Sequence, residues 1–169
     1  MDIDLYYKEL SELYEDLKVD RSKVWYSIQY SKCKSSYEIY TKCCLVMSDK
    51  SDNCEPEMCK IEYRIGYSES FSAPVLYIRA EDDKGNGFGM EEFRAFLIRM
   101  KFDVEYFQYL IQIEHPFLGL PCFSMHPCRT NEAISKLSRA FPSHSNSKGN
   151  SLRIWLISFG NLFGLRISC

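Results

Sequence analysis

Alternation of apolar and polar residues in successive segments is the feature that most constrains this fold. Residues 37–47 place Tyr, Ile, Thr, Cys, Leu and Met at every second position, and residues 61–67 alternate Ile and Tyr with other residues. A period of two turns one face of each segment toward a core and predicts strands. Residues 74–79 are almost continuously apolar and predict a central strand buried on both faces. Because these strands follow one another closely, antiparallel pairing is favoured.

Helical patterns flank the predicted strands. Apolar residues at helical spacing predict helices over residues 4–18, 90–100, 103–113, 130–141 and 151–163. A further alternation predicts a strand over residues 24–30. The order is an N-terminal helix, an antiparallel sheet of about four to six strands and C-terminal helices, which predicts the α+β class. No repeat or linker interrupts it, so residues 1–169 are expected to form a single domain.

The length and net charge of the chain exclude some classes of function. A chain of 169 residues buries enough surface to fold without disulfides, and a net charge of -2 argues against nucleic acid as a partner. The N-terminus shows no secretory signal, and no apolar run reaches the roughly 20 residues of a transmembrane helix, so a cytoplasmic location is expected. In that compartment the eight cysteines are expected to be thiols rather than disulfides.

Two short motifs are expected to be structural. Residues 84–89 hold three glycines, but their G-x-G-x-G spacing after antiparallel strands predicts a turn rather than a phosphate site. Two pairs of cysteines lack the spacing of a zinc site. The first pair is adjacent on a predicted strand, so its two thiols point to opposite faces and cannot easily bind one ion. These pairs are Cys43 with Cys44 and Cys54 with Cys59. Ordinary thiols are the favoured interpretation, with no metal and no cofactor.

Residues 115–128 concentrate the chemically active side chains, with two of the three histidines, two cysteines and three prolines. Pro127 ends the preceding strand and presents the Cys128 thiol at the start of an exposed turn. Arg129 and a helix beginning at Thr130 stabilise a thiolate through positive charge and the helix dipole. A cysteine becomes nucleophilic under these conditions, so Cys128 is the predicted reactive residue.

Three kinds of chemistry remain open for this segment. A zinc site from His115, Cys122, His126 and Cys128 would match no regular finger spacing. A cysteine hydrolase needs a base from a distant part of the chain, for which His115 and His144 are available. A thiol that carries an acyl group needs no permanent base, because its substrate is already an activated ester. This last chemistry is the most compatible with so few histidines.

The same segment resembles a known family. Residues 114–123 contain Glu-His-Pro, Leu-Gly, Pro and Phe, and residues 126–132 read His-Pro-Cys-Arg-Thr-Asn-Glu, as in the autophagy ubiquitin-conjugating-enzyme-like proteins. The resemblance includes the apolar strand at residues 74–79 and the C-terminal helix, and it spans roughly residues 61–167. The family has a ten type, which conjugates proteins, and a longer three type, which lipidates a modifier. The compact length and Thr130 favour the ten type.

This resemblance implies a fold and an activity. The fold is ubiquitin-conjugating-enzyme-like, with a loop that carries the catalytic cysteine. The activity is that of an acyltransferase in which Cys128 accepts the ubiquitin-like modifier autophagy-related protein twelve as a glycyl thioester. The activating enzyme autophagy-related protein seven supplies the modifier, and a lysine of autophagy-related protein five receives it through an isopeptide bond, in support of autophagosome formation. The alternatives are a non-catalytic module that binds a ubiquitin-like partner, or a cysteine hydrolase.

One departure from ordinary ubiquitin-conjugating enzymes concerns the transition state. Those enzymes carry His-Pro-Asn ahead of their cysteine, whereas here His126 and the following proline lead at once to Cys128. By position, Tyr63, Tyr67 or Asn131 is the expected donor in place of the missing asparagine. Each also has a structural interpretation, as a core tyrosine or a helix cap. His126 is expected to support the turn, because a residue two positions from the thiol points poorly for proton transfer.

Overall fold

The structure, a computed structural model, describes residues 1–19, 28–33, 36–47, 57–102, 107, 109–126, 130 and 151–165. Within these ranges the chain runs α1 (Ile3–Val19), β1 (Ile28–Cys33), β2 (Ser36–Met47), β3 (Glu57–Ser68), β4 (Ala73–Glu81), α2 (Met90–Arg99), β5 (Leu110–Glu114), β6 (Pro121–Met125) and α3 (Ser151–Asn161). None of the described helices combines the length and apolar character required to span a bilayer.

The described strands form one sheet in the order β1-β2-β3-β4-β6-β5, and every neighbouring pair is antiparallel. Strands β1 to β4 form a meander, which confirms the antiparallel pairing predicted from their close succession in the sequence. The β5–β6 hairpin then places β6 beside β4, where Tyr77 and Ile78 pair with Ser124 and Phe123. The N-terminal helix, the antiparallel sheet and the last helix confirm the α+β class.

One predicted helix is wrong in part. Residues 103–113 were expected to be helical, yet Leu110 and its successors form β5, which pairs with β6 from Glu114 opposite Pro121 to Leu110 opposite Met125. The β-branched residues Ile111 and Ile113 fit a strand at least as well as a helix. The segment forms a strand because the short connection at residues 115–120 lets it pair with β6 as a hairpin. The predicted helix at 130–141 lies outside the described residues, apart from Thr130.

The main core lies between the sheet and its helices. Every second residue of β3 faces it, as Ile61, Tyr63 and Ile65 are each about 1% exposed. Helix α1 contributes a stripe at helical spacing, as its pattern predicts. This stripe consists of Tyr6, Leu10, Leu13 and Leu17. Strand β4 is buried on both faces as predicted, since Leu76 and Ile78 join the main core while Val75 and Tyr77 join a smaller cluster on the opposite face.

The glycine-containing segment at residues 84–89 belongs to a turn, as predicted. Asp82 organises it, because its carboxylate accepts hydrogen bonds from the backbone N–H and from the side-chain amide of Asn86, both at 2.7 Å. These hydrogen bonds favour the ionised carboxylate and lower the pKa of Asp82. The turn therefore connects β4 to α2 through local polar contacts.

Candidate active site

Strand β6 leads directly into the predicted reactive segment. Its last residues are buried between β4 and β5, and His126 follows where the strand ends. Cys128 comes two residues later and lies outside the described residues, as does Asn131. Thr130 is described and is buried. The structure thus describes His126 and Thr130 on either side of this segment, and the assignment of the Cys128 thiol as catalytic stays a prediction.

His126 is held by backbone and ring contacts. Its backbone N–H donates to the Tyr109 carbonyl oxygen at 3.3 Å. Its imidazole lies edge-on to the ring of Phe71, with centroids 5.3 Å apart and an interplanar angle of 77°. Phe71 belongs to the turn between β3 and β4 and is 42% exposed. These contacts are consistent with the expected supporting role, and they place an exposed aromatic ring at the entry to the Cys128 segment.

The two tyrosines nominated as donors both lie on β3, and their hydroxyl groups have structural partners. The Tyr63 hydroxyl is buried and donates to the Phe163 carbonyl oxygen at 2.6 Å. The Tyr67 hydroxyl donates to the Met1 carbonyl oxygen at 2.7 Å. Each O–H proton is therefore directed at a backbone oxygen, which favours a structural role. A part for either tyrosine in stabilising the transition state stays a prediction.

The structure describes the side chains of two cysteines, Cys59 and Cys122, and both are buried free thiols. Burial, and secondarily the negative charge of Glu38, raises the pKa of Cys122 to about 11. Because the thiolate is the nucleophilic form, Cys122 is poorly reactive near neutral pH. Cys122 therefore lacks the properties predicted for the activated thiol, which comes six residues later in the sequence.

Four side chains meet on the face of the sheet opposite the main core, and we call them the outer-face cluster: Glu38, Arg64, Tyr77 and His115. His115 Nε2 lies 3.2 Å from Glu38 Oε1, and both side chains are at most 2% exposed. Arg64 Nη1 lies 3.6 Å from Glu38 Oε2. The rings of Tyr77 and His115 have centroids 4.6 Å apart. Burial, then the charges of Glu38 and Cys122, raise the pKa of Tyr77.

Hydrogen bonding defines the tautomer of His115. Its Nδ1 accepts from the backbone N–H groups of Phe117 and Leu118, each at 3.4 Å. In the neutral ring, Nε2 then carries the proton and faces Glu38, at an angle too bent for a straight hydrogen bond. Nδ1 is therefore hydrogen-bonded to the β5–β6 turn, while Nε2 lies in close polar contact with Glu38 without a hydrogen bond. This arrangement does not favour His115 as the base of a cysteine hydrolase.

Metal binding finds no support in the described part of the chain. No three His, Cys, Asp or Glu side chains there come together in a group that could hold an ion. Of the zinc ligands considered from the sequence, His115 contacts Glu38 and backbone amides, and Cys122 is a buried thiol. Cys128 lies outside the described residues.

Sequence reasoning did not single out Glu38 or Phe71. Glu38 occupies a polar position in an alternating strand, where an acidic residue normally faces water, so no local pattern reveals that it is fully buried. Phe71 is one of eleven phenylalanines and comes in a turn. Both residues acquire their contacts from segments far away in the sequence.

Comparison with known proteins identifies the family that this chain matches. Residues 20–169 match the family described as autophagocytosis associated protein, active-site domain. The human ubiquitin-like-conjugating enzyme ATG10 is 30% identical over 131 residues, covering 69% of this chain and 57% of that protein. The Arabidopsis thaliana enzyme of the same name is 30% identical over 127 residues, covering 67% of this chain and 52% of its own length. The chain thus spans little more than half the length of these relatives.

A solved structure shows the same fold. The crystal structure of an autophagic E2, Atg10, matches with a TM-score of 0.61 over 98% of both chains, at 16% sequence identity. Its likeness extends across the N-terminal helix, the sheet and the last helix, and it confirms the ubiquitin-conjugating-enzyme-like fold. The family match covers most of the chain and includes the His-Pro-Cys segment that follows β6. The chain therefore belongs to the autophagocytosis-associated protein family, within its active-site domain.

Proposed function

We propose that this chain is a ubiquitin-like-conjugating enzyme that carries its modifier as a glycyl thioester on Cys128. The observation that carries the proposal is the match of residues 20–169 to an active-site domain family, with the cysteine in a His-Pro-Cys segment directly after β6. Relatives from human, Arabidopsis thaliana and Dictyostelium discoideum are each named as ubiquitin-like-conjugating enzymes. The solved relative is likewise described as an autophagic E2.

The proposed reaction has two acyl-transfer steps. The Cys128 thiolate attacks the carbonyl carbon of the modifier's C-terminal glycine, which is bound as a thioester to the activating enzyme. A new carbon–sulfur bond forms and the activating enzyme's thiolate leaves. A lysine amine of the acceptor then attacks the same carbon, loses a proton and displaces the Cys128 thiolate. The products are an isopeptide bond and the free enzyme, so no oxidant or metal takes part.

The specific partners belong to the proposal. The modifier is autophagy-related protein twelve, the activating enzyme is autophagy-related protein seven, and the acceptor is autophagy-related protein five. Support comes from the family match and from the relatives' names, together with the His-Pro-Cys-Arg-Thr sequence at residues 126–130. A cytoplasmic setting and a single domain over residues 1–169 complete the proposal. The match of the solved relative over 98% of the chain supports the single domain.

Local structure suits Cys128 to this role. Strand β6 is clamped between β4 and β5, and His126 is held by the Tyr109 carbonyl and the Phe71 ring. We propose that these contacts orient the chain that leads to the reacting thiol, which comes two residues after His126 in the sequence. Orientation of this kind is a main source of rate in acyl transfer between bound partners.

The test is a charging assay with Cys128→Ser. Incubated with the activating enzyme, ATP and the modifier, the wild-type chain forms an adduct that reductant removes. The serine variant forms an oxyester that reductant leaves intact, because the ester oxygen is not exchanged by thiols. Cys122→Ala is the matched control and charges like the wild type, since its thiol is buried. Gel electrophoresis with and without reductant, followed by mass spectrometry, locates the adduct.

Two results would contradict this proposal. Failure of the wild type to form any covalent adduct, while still binding the modifier, would leave a non-catalytic binding module. An adduct that Cys128→Ser does not alter and Cys122→Ala removes would place the thioester elsewhere. Addition of the acceptor tests the second step, since the conjugate resists reductant and depends on an acceptor lysine.

A further inference from the structure

We propose that His115 is a positioning residue, which fixes the β5–β6 hairpin on the sheet and thereby orients the strand end that presents Cys128. Glu38 on β2 is its partner. This inference rests on the proposed function, because the reaction it assists takes place at Cys128. The outer-face cluster lies on the side of the sheet away from the described helices. Its contacts are therefore separate from the packing of the main core.

The contacts of His115 span the hairpin. On one side its Nδ1 accepts from the backbone amides of Phe117 and Leu118, which closes the turn between β5 and β6. The turn also carries backbone hydrogen bonds from His115 N–H to the Leu120 oxygen at 2.8 Å and from Gly119 N–H to the His115 oxygen at 3.0 Å. On the other side Nε2 faces the Glu38 carboxylate at 3.2 Å. One imidazole therefore links the turn to the sheet.

Glu38, the partner of His115, has a positively charged neighbour. Glu38 is fully buried, and a buried carboxylate is costly unless nearby positive or donor groups compensate it. Arg64 supplies a guanidinium 3.6 Å from the second carboxylate oxygen, and Arg64 is itself fixed by a 2.6 Å hydrogen bond to Glu62. The guanidinium also lies over the Tyr40 ring, 4.5 Å from its centroid. This set of contacts gives His115 a rigid anchor on β2 and β3.

The link to the active site runs along β6. The hairpin turn closed by His115 continues into β6, whose described pairing with β4 is at Tyr77 and Ile78. The direction in which the chain leaves β6 also depends on contacts at the two ends of the strand. His115 supplies one at the start of β6, and the Phe71 and Tyr109 contacts of His126 supply others at its end. Small displacements of a reacting group lower the rate of transfer strongly.

Two substitutions of His115 separate its contacts. His115→Asn keeps an acceptor near the position of Nδ1 and loses the group that faces Glu38. His115→Gln keeps a donor near the position of Nε2 and loses the acceptor for the Phe117 and Leu118 amides. Glu38→Leu removes the carboxylate, whereas Glu38→Gln retains an oxygen that faces His115. The matched control is Glu91→Gln, which breaks a surface pair with Arg94 at 3.0 Å.

The primary measurement is the steady-state kinetics of modifier transfer from the charged activating enzyme. For Glu38→Leu and His115→Asn we expect kcat to fall by about 10-fold at unchanged KM, because the partner-binding surface is intact and the thiol is misplaced. We expect Glu38→Gln to retain kcat within about 3-fold of the wild type, since a polar oxygen still faces His115. Glu91→Gln leaves both parameters unchanged.

A second measurement does not require the proposed function. We expect the rate at which iodoacetamide alkylates Cys128 to change in Glu38→Leu and His115→Asn. In His115→Gln we expect amide hydrogen exchange at Phe117 and Leu118 to accelerate, because both amides lose their acceptor. Circular dichroism confirms that each variant is folded before it is compared. Failure of the wild type to form a thioester would contradict the proposed function, while alkylation and exchange still decide the role of His115. Folded variants with wild-type kcat, alkylation and exchange would overturn the positioning role.

Discussion

At the scale of single residues, burial makes Cys122 a poor nucleophile, although it lies six residues before the predicted catalytic cysteine. Cys122 is 5% exposed on β6 and faces the outer-face cluster, where desolvation disfavours its thiolate. Cys128 follows the end of that strand, in a segment with an arginine and a predicted helix start. The reactivity of each thiol depends on whether its charged thiolate is solvated or stabilised.

We predict that Cys122 resists alkylation at pH 8. With its pKa raised to about 11, its thiolate is the minor form by roughly a thousandfold at that pH. The rate rises as the pH approaches 11, because the folded chain then begins to lose this proton. Mass spectrometry of iodoacetamide-treated protein at pH 7, 8 and 9 measures the modification at each cysteine. Labelling of Cys122 in folded protein at pH 7 as fast as that of a free thiol would contradict the raised pKa.

The same pKa has a consequence for stability. The unfolded chain releases the Cys122 proton near the ordinary value of 9.0, while the folded chain retains it until about 11. Between these values the folded state binds more protons, so the free energy of unfolding decreases as pH rises through that window. Cys122→Ala removes this contribution, and urea titrations at pH 8 and 10 therefore serve as a control on the alkylation result.

At the scale of elements, pairing decides what local propensity leaves open. The segment ending in β5 has apolar residues compatible with either helix or strand, and its hairpin with β6 makes it a strand. Strand β3 shows the complementary case, since its alternation alone predicts its core face correctly. The other face of β3 depends on its neighbours, and Gly66 is the clearest example. A Cβ at that position would lie 2.9 Å from Tyr77 Cε2 and 3.4 Å from Glu38 Oε1.

We predict that Gly66→Ala destabilises the protein by about 1–3 kcal/mol, because the added methyl displaces the packed Tyr77 ring. Urea unfolding followed by tyrosine fluorescence or circular dichroism measures the change. Gly87→Ala is the control, since its Cβ would meet nothing within 4 Å and its effect is expected to be small. Equal stability of the Gly66 and Gly87 variants would show that the outer-face cluster tolerates the displacement.

At the scale of the whole molecule, the two ends of the described chain are joined by a buried carboxylate. Helical spacing places Glu9 beside the apolar stripe of α1, yet it is only 7% exposed. Its Oε2 accepts a hydrogen bond at 2.8 Å from the backbone N–H of Leu152, in the first turn of α3. Glu9 thus caps a helix that begins more than 140 residues later in the sequence. Helix N-termini favour such a negative charge, because their first N–H groups lack partners within the helix.

We predict that Glu9→Ala lowers the free energy of unfolding by about 1–2 kcal/mol, the usual cost of losing a helix cap. Glu9→Gln loses less, because its amide oxygen still accepts from Leu152. Glu12→Ala, on the exposed side of α1, serves as the matched control. Thermal or urea unfolding of the three variants provides the measurement. A Glu9→Ala protein as stable as Glu12→Ala would mean that this cap contributes nothing to stability.

Several elements of this protein can be predicted from the sequence, because they depend on local patterns of apolar residues. Alternation predicts β2 to β4, and helical spacing predicts α1, α2 and α3; the assignment of Cys128 as the reactive cysteine stays a prediction. Only the tertiary structure decided that residues 110–114 form a strand, that Glu9 caps α3, and that Glu38 pairs with His115. These contacts join residues far apart in the chain. Their energies depend on burial and on strand pairing, which local periodicity does not encode.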